Sequence, residues 1–218
     1  MPAPRTLRTL SLIALAALVL SAGLTRLRTN DLFIHLVTGG LILDERSVPS
    51  TDRYSFTAPG ARYVTHEWLA ATWYAIGERA GGPIGAIVAS KVVPGLAILA
   101  ALLAAFRCSG VSPPIAVGVA AAALAVARNR MTQDRPEVMA IALLVTLLWL
   151  LLRDRERRLS GRPDRWIFAA APLVAVWANV HASFPLGIAL VAAFALGDRL
   201  DAWLGARDER AQTVAGLG

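Results

Sequence analysis

Hydrophobic residues gather into runs at about 10–24, 83–106, 111–127, 138–152, 166–177 and 186–196, and the segments between them hold nearly all of the charge. A helix needs roughly 20 apolar residues to cross the hydrocarbon core. Several of these runs are shorter, so flanking residues must complete them. The pattern predicts an all-α fold: a polytopic transmembrane helical bundle of about six spans, forming one membrane domain over 1–218. The first run follows Arg5 and Arg8 and is read as an uncleaved anchor, with a cleaved signal peptide as the rival.

Residues 26–82 are too long for a simple connector. Two stretches of helical period, 31–46 and 65–79, flank the turn-rich "SVPSTDRYSFTAPGARY". In the first, Leu32, Leu36, Val37, Ile42 and Leu43 make an apolar flank that suits a helix lying at the membrane interface. In the second, Thr65 is the expected cap, and Trp68, Trp73 and Tyr74 are expected to form an aromatic belt at headgroup level.

Composition sharpens this picture. The chain is 56% hydrophobic with a mean hydropathy of +0.55, too apolar for a domain with a polar surface all round. Its net charge of +7 is almost wholly arginine, with Lys91 the one lysine. The arginines flank apolar runs and form no basic face interleaved with aromatics, so nucleic acid is not an expected partner. A single cysteine, Cys108, excludes an intramolecular disulfide framework.

The arginines also set the orientation. Arg5, Arg8, Arg107, the segment "RDRERRLSGRPDR", Arg199, Arg207 and Arg210 share one side if six spans alternate, and that side is cytoplasmic by the positive-inside rule. The loop 26–82, "RNRMTQDRPE" and "ANVHASFP" then share the outer face of the cell's inner (plasma) membrane. Candidate chemistry falls on that face. Asp31 and His35 stand at i and i+4 on one helical face, although Asp31 also suits a helix cap. "HEWLA" departs from the zinc-protease pattern because Ala70 replaces the second histidine. His35, His66, Glu67 and His181 together have the donor chemistry for a divalent metal, though nothing in the sequence brings them together; the preferred reading is a polar, substrate-facing cluster with no cofactor. Arg135 precedes Pro136, the expected first residue of a span, where a helix N-terminus and a guanidinium would meet an anion jointly. Lys91 lies inside a span and is expected to face the bundle.

In order, "DLFIHLVTGGLILDERSVPSTDRYSFTAPG", "HEWLA", "DRPEV" and "WANVHASFPLG" resemble bacterial membrane proteins of the GT-C glycosyltransferase class, with a dolichyl-phosphate-mannose mannosyltransferase-like fold. The likeness covers roughly residues 25 to 200. It implies transfer of a sugar from a polyprenyl-phosphate carrier to an acceptor at the extra-cytoplasmic face, within the lipid bilayer. It also implies that Asp31, just past the first span, is the general base on the acceptor hydroxyl. Such a reaction needs cations for the departing phosphate and a greasy groove for the lipid tail. Arg128, Arg130, Arg135 and Lys91 are the candidate cations, with Lys91 expected near the carrier phosphate or a carboxylate such as Asp31 or Glu67. His35, His66, Glu67 and His181 complete the expected substrate-binding set. The resemblance further implies more spans than six, so this chain reads as the N-terminal part and a partner supplying missing spans is expected. The rival readings are a non-catalytic membrane subunit or remnant of such an enzyme, and a small-solute transporter.

Overall fold

The computed structural model describes residues 13–17, 19–21, 23–25, 31–163 and 165–215. They are helical, with no strand among the described residues beyond an isolated bridge between Thr51 and Arg62. The helices are α1 (Asp31–Glu45), α2 (Trp68–Ile87), a π turn (Val88–Val92), α3 (Val93–Cys108), α4 (Pro113–Met131), α5 (Glu137–Leu159), a 3-10 turn (Trp166–Ala169), α6 (Ala170–Val180) and α7 (Pro185–Ala215). A helix therefore stands at each apolar run expected from 83 onward.

Among the described residues one helical stretch, Trp68–Cys108, is long and apolar enough to cross a membrane; Pro114–Ala125 and Trp166–Val180 are shorter apolar helices. The long stretch is not straight. At Gly81 and Gly82 the backbone leaves helical geometry, and Gly82 takes φ +58°, a conformation open to glycine at no steric cost. The chain reverses there, so that a Cβ on Gly85 would lie 1.9 Å from the Gly77 carbonyl oxygen and the Trp73 indole reaches the Ala89 carbonyl at 2.9 Å. The arm 68–80 and the apolar arm 83–108 thus form an antiparallel helical hairpin. The second arm measures about 39 Å at roughly 1.5 Å per residue, enough to cross a bilayer alone.

Helix α1 packs along the first arm, and α3 packs along α5. Gly39 permits the first approach, since a Cβ there would sit 2.0 Å from the Ala71 carbonyl oxygen. Leu15 and Val19 of the first apolar run pack with Ile98, Leu99, Ala120, Leu124, Val138 and Ala142. A second cluster joins α5 to α6 through Ala140, Leu147, Leu151 and Trp177.

The two ends of the bundle differ in chemistry. At one end Arg155 and Arg158 of α5 pair with Asp201 and Asp198 of α7 at 2.6 and 2.7 Å, and Arg153 lies over the Trp149 and Trp166 rings. Cys108, partly buried, is at this end too. The opposite end holds α1, the residues before α2, the turn between α4 and α5, and the end of α6.

Two local expectations are corrected. Tyr74 does not join a belt: it is fully buried with Leu32 and Ala89, on the same helical face as Ala70 and Ala71. Thr65 does not cap α2, because its hydroxyl donates to the Pro49 carbonyl at 2.8 Å and Glu67 stands at the N-cap position.

Candidate functional site

The loop between α1 and α2 folds back over α1 for reasons legible in its residues. The Asp52 carboxylate accepts the Tyr54 and Ser55 N–H groups at 2.8 and 2.9 Å, an Asx turn that closes the chain on itself. Those bonds, Ser55 first, lower the Asp52 carboxyl below its ordinary value. The Tyr54 hydroxyl meets Thr38 of α1 at 2.8 Å, and its ring lies edge-on to Tyr63. The loop therefore delivers Tyr63, His66 and Glu67 to the face of α1 that carries His35.

A polar cavity of about 510 Å³ opens at this end of the bundle, lined by Asp31, His35, Tyr63, Glu67, Arg130, Arg135, Glu137 and His181 among others. Six of the residues singled out in the sequence, Asp31, His35, Glu67, Arg130, Arg135 and His181, meet here from four separate segments. His66 lines a smaller adjoining space and its side chain is mostly exposed. Arg128, exposed near the end of α4, is not among the lining residues.

Asp31, the first residue of α1, pairs with Arg135 at 2.7 Å. Arg135 precedes Pro136, which stands at the N-cap of α5 rather than at its first helical position, and Arg130 pairs with Glu137 in the first turn of that helix at 3.1 Å. Two guanidiniums thus converge beside a helix N-terminus, a place where orphan N–H groups and the helix dipole favour negative charge.

Glu67 faces all three histidines of the chain. His35 Nε2 lies 3.5 Å from one carboxylate oxygen, and His66 Nε2 and His181 Nε2 lie 3.9 and 3.8 Å from the other. The Ser183 N–H donates to His181 Nδ1 at 3.1 Å, which places the proton of the neutral ring on Nε2, toward Glu67. Ser183 is itself held by the Trp177 indole, and the Trp68 indole donates to Asn179 at 2.7 Å. These bonds fasten the end of α6 to the start of α2. Among the described residues no group of three or more His, Cys, Asp or Glu is disposed to hold a metal ion.

Burial lowers the His35 pKa below its ordinary 6.5, while Glu67 and then Asp31 pull it upward. A histidine with a depressed folded-state pKa binds fewer protons folded than unfolded, so stability declines as pH falls from about 6.5 through the folded-state value. The protein is expected to lose thermal stability between pH 7 and pH 5, and His35→Gln to lose less over that range. Parallel slopes in a melting series would show that His35 does not carry the effect.

Lys91 is absent from the cavity. Its ammonium lies 2.8 Å from Asp134, both side chains fully buried, and donates to the Thr25 hydroxyl and carbonyl at 3.1 and 3.3 Å. It faces the bundle as expected, but its carboxylate is neither Asp31 nor Glu67. Asp134 is the polar residue that the sequence reading missed. The signal for it was a lysine inside an apolar arm, which requires a buried counter-charge.

An apolar groove of about 310 Å³ is lined by Leu69, Trp73, Pro94, Met139, Val176 and Val180 among others. Three segments contribute residues to both it and the polar cavity: Leu69 and Glu67, Met139 and Glu137, and Val180 and His181. Comparison with protein-family models, with curated proteins and with solved structures finds no match for the chain.

Proposed function

We propose that this chain is a multi-pass inner-membrane protein that handles a polyprenyl-phosphate-linked sugar at the extra-cytoplasmic face, and that it acts as a GT-C-type glycosyltransferase, alone or with a partner that supplies further spans. One observation carries the reading: a cavity with two arginines at a helix N-terminus and an apolar groove are built from the same three segments, around Glu67–Leu69, Glu137–Met139 and Val180–His181. That combination matches an amphiphile with an anionic head and a hydrocarbon tail.

In this reading Arg130 and Arg135 hold the phosphate, the groove between the hairpin, α5 and α6 takes the first isoprene units, and Asp31 removes the acceptor proton. The sugar C1–O bond to phosphate breaks with its electron pair leaving on the phosphate, and the acceptor oxygen forms the new bond to C1. His35, Glu67 and His181 border the space left for sugar and acceptor. A six-span arrangement is the reading that the apolar runs support, and the arginine-rich end standing opposite the cavity end is consistent with it.

The activity is tested by supplying the chain in vesicles with a panel of radiolabelled polyprenyl-phosphate sugars and following release of free carrier phosphate. Release that depends on Asp31 and Arg135 is expected. No release from any donor, with or without co-expressed membrane partners, would leave the non-catalytic subunit as the better description. Sidedness has its own test in intact cells. Asp31→Cys and His181→Cys should react with an impermeant maleimide, while Arg157→Cys and native Cys108 should not. Labelling at 157 with silence at 31 would reverse the orientation.

A further inference from the structure

The Arg135 half of the Asp31–Arg135 pair traces back to one buried ammonium. Lys91 binds Thr25, six residues before Asp31, and Asp134, the residue before Arg135. It rides on the π turn Val88–Val92, and a π turn displaces a helix's register locally and is frequent at functional sites. The Ala89 carbonyl in that turn accepts the Trp73 indole, so the irregular backbone is satisfied where it is buried. On the other side, the turn between α4 and α5 is held by Asp134 and by Val138, both with no exposed surface. Arg135 itself is about half exposed, with its Asp31 contact at the cavity wall. The rigid part of this arrangement lies one residue below the cavity, and the ligand-facing part stands on it.

We propose that Lys91 is the positioning residue of the anion cavity: by holding Asp134 it fixes the backbone immediately before Arg135 and so aims the Arg135 guanidinium at the cavity wall that carries Asp31. Lys91 touches no ligand in this role. The inference rests on reading the cavity as an anion site, and it uses the best-attested function of a buried ion pair, which is to set register rather than to add stability.

The test uses the full chain in lipid nanodiscs and farnesyl methyl phosphate, a phosphodiester with one fixed negative charge across the working pH range, with farnesol as the uncharged control. Four proteins are compared by titration and by melting: wild type, Arg135→Gln, the apolar pair Lys91→Met with Asp134→Leu, and Lys91→Met with Asp134→Asn. Arg135→Gln should weaken phosphodiester binding about tenfold, the scale of a lost charge-assisted hydrogen bond. The apolar pair should melt close to wild type and still bind about tenfold more weakly, with farnesol binding unchanged. A second readout separates positioning from mere support. Asp31→Asn frees Arg135 of its competitor and should tighten binding several-fold in the wild-type background, and that gain should vanish in the apolar pair. Wild-type affinity in the apolar pair, with the Asp31→Asn gain retained, would overturn the positioning role. Should the apolar pair fail to fold, Lys91→Met combined with Asp134→Asn gives the same decision, because it preserves the shape at 134 and leaves neither charge buried alone. Wild-type affinity in Arg135→Gln would instead sink the anion-site reading and the inference with it.

Discussion

Lys91→Met is expected to destabilise the fold by about 3–5 kcal/mol, and adding Asp134→Leu is expected to restore stability to within about 1 kcal/mol of wild type. The reason is the asymmetry between removing one buried charge and removing two. Lys91 and Asp134 lie 2.8 Å apart with no exposed surface on either side chain. Deleting the lysine alone leaves a carboxylate in a low-dielectric interior, where the ammonium no longer offsets its desolvation. Deleting both leaves an apolar contact between the 83–108 arm and the α4–α5 turn. Methionine comes close to the lysine volume and leucine repeats the branched four-atom shape of aspartate, so the cavity term stays small. Unfolding in mixed micelles, followed by tryptophan fluorescence, measures both variants. A double variant no more stable than the single one would mean that the pair contributes more than mutual neutralisation.

That buried pair also marks the boundary of what the sequence made legible. Helix positions followed from apolar period and from punctuation: Gly81, Gly82 and Pro83 end one helical pattern and open another, and the backbone reverses there. Local periodicity cannot report which segments meet. Asp31 and Arg135 are separated by about a hundred residues, and only the packing of α1 along α2 and of α3 along α5 brings them to 2.7 Å. For Lys91 the chain offered several outer-face carboxylates, and depth would have discriminated among them. Lys91 lies about eight residues into the arm, whereas Asp31 and Glu67 border the open cavity and Asp134 sits beneath it. Tyr74 was misjudged on residue type, since tyrosine favours interfaces. Its neighbours at helical spacing, Ala70, Ala71 and Ala75, are small and buried, and they mark that face as the one packed against α1.

The motif residues gain separate physical roles from the structure. Asp52 and Tyr54 of "TDRYS" hold the loop against α1, which brings Glu67 to His35. Asn179 and Ser183 of "WANVHASF" receive two indole N–H groups and fix His181. Much of what looks like a catalytic signature is therefore scaffolding for a cavity. Asp31, Glu67, Arg130 and Arg135 are the charged groups in its wall that could act on a ligand directly, together with Glu137, which is engaged by Arg130.

Asp31→Asn should separate binding from chemistry by moving them in opposite directions. The carboxylate now holds Arg135 at 2.7 Å, and both side chains are about half exposed, so an incoming phosphodiester must share or displace that contact. Asparagine keeps the shape and retains good capping chemistry at the start of α1, so expression and melting should stay near wild type. It cannot hold a guanidinium as an ion, so Arg135 becomes available and farnesyl methyl phosphate should bind several-fold more tightly. It also cannot accept a proton from an acceptor hydroxyl, so carrier-phosphate release from any donor that the wild type accepts should fall by about 100-fold or more, the usual scale of general-base catalysis. A residue that only capped the helix would move neither quantity at constant stability. A residue that only neutralised Arg135 would tighten binding and leave turnover intact, and in that event the base must be sought at Glu67, where three imidazoles already surround the carboxylate.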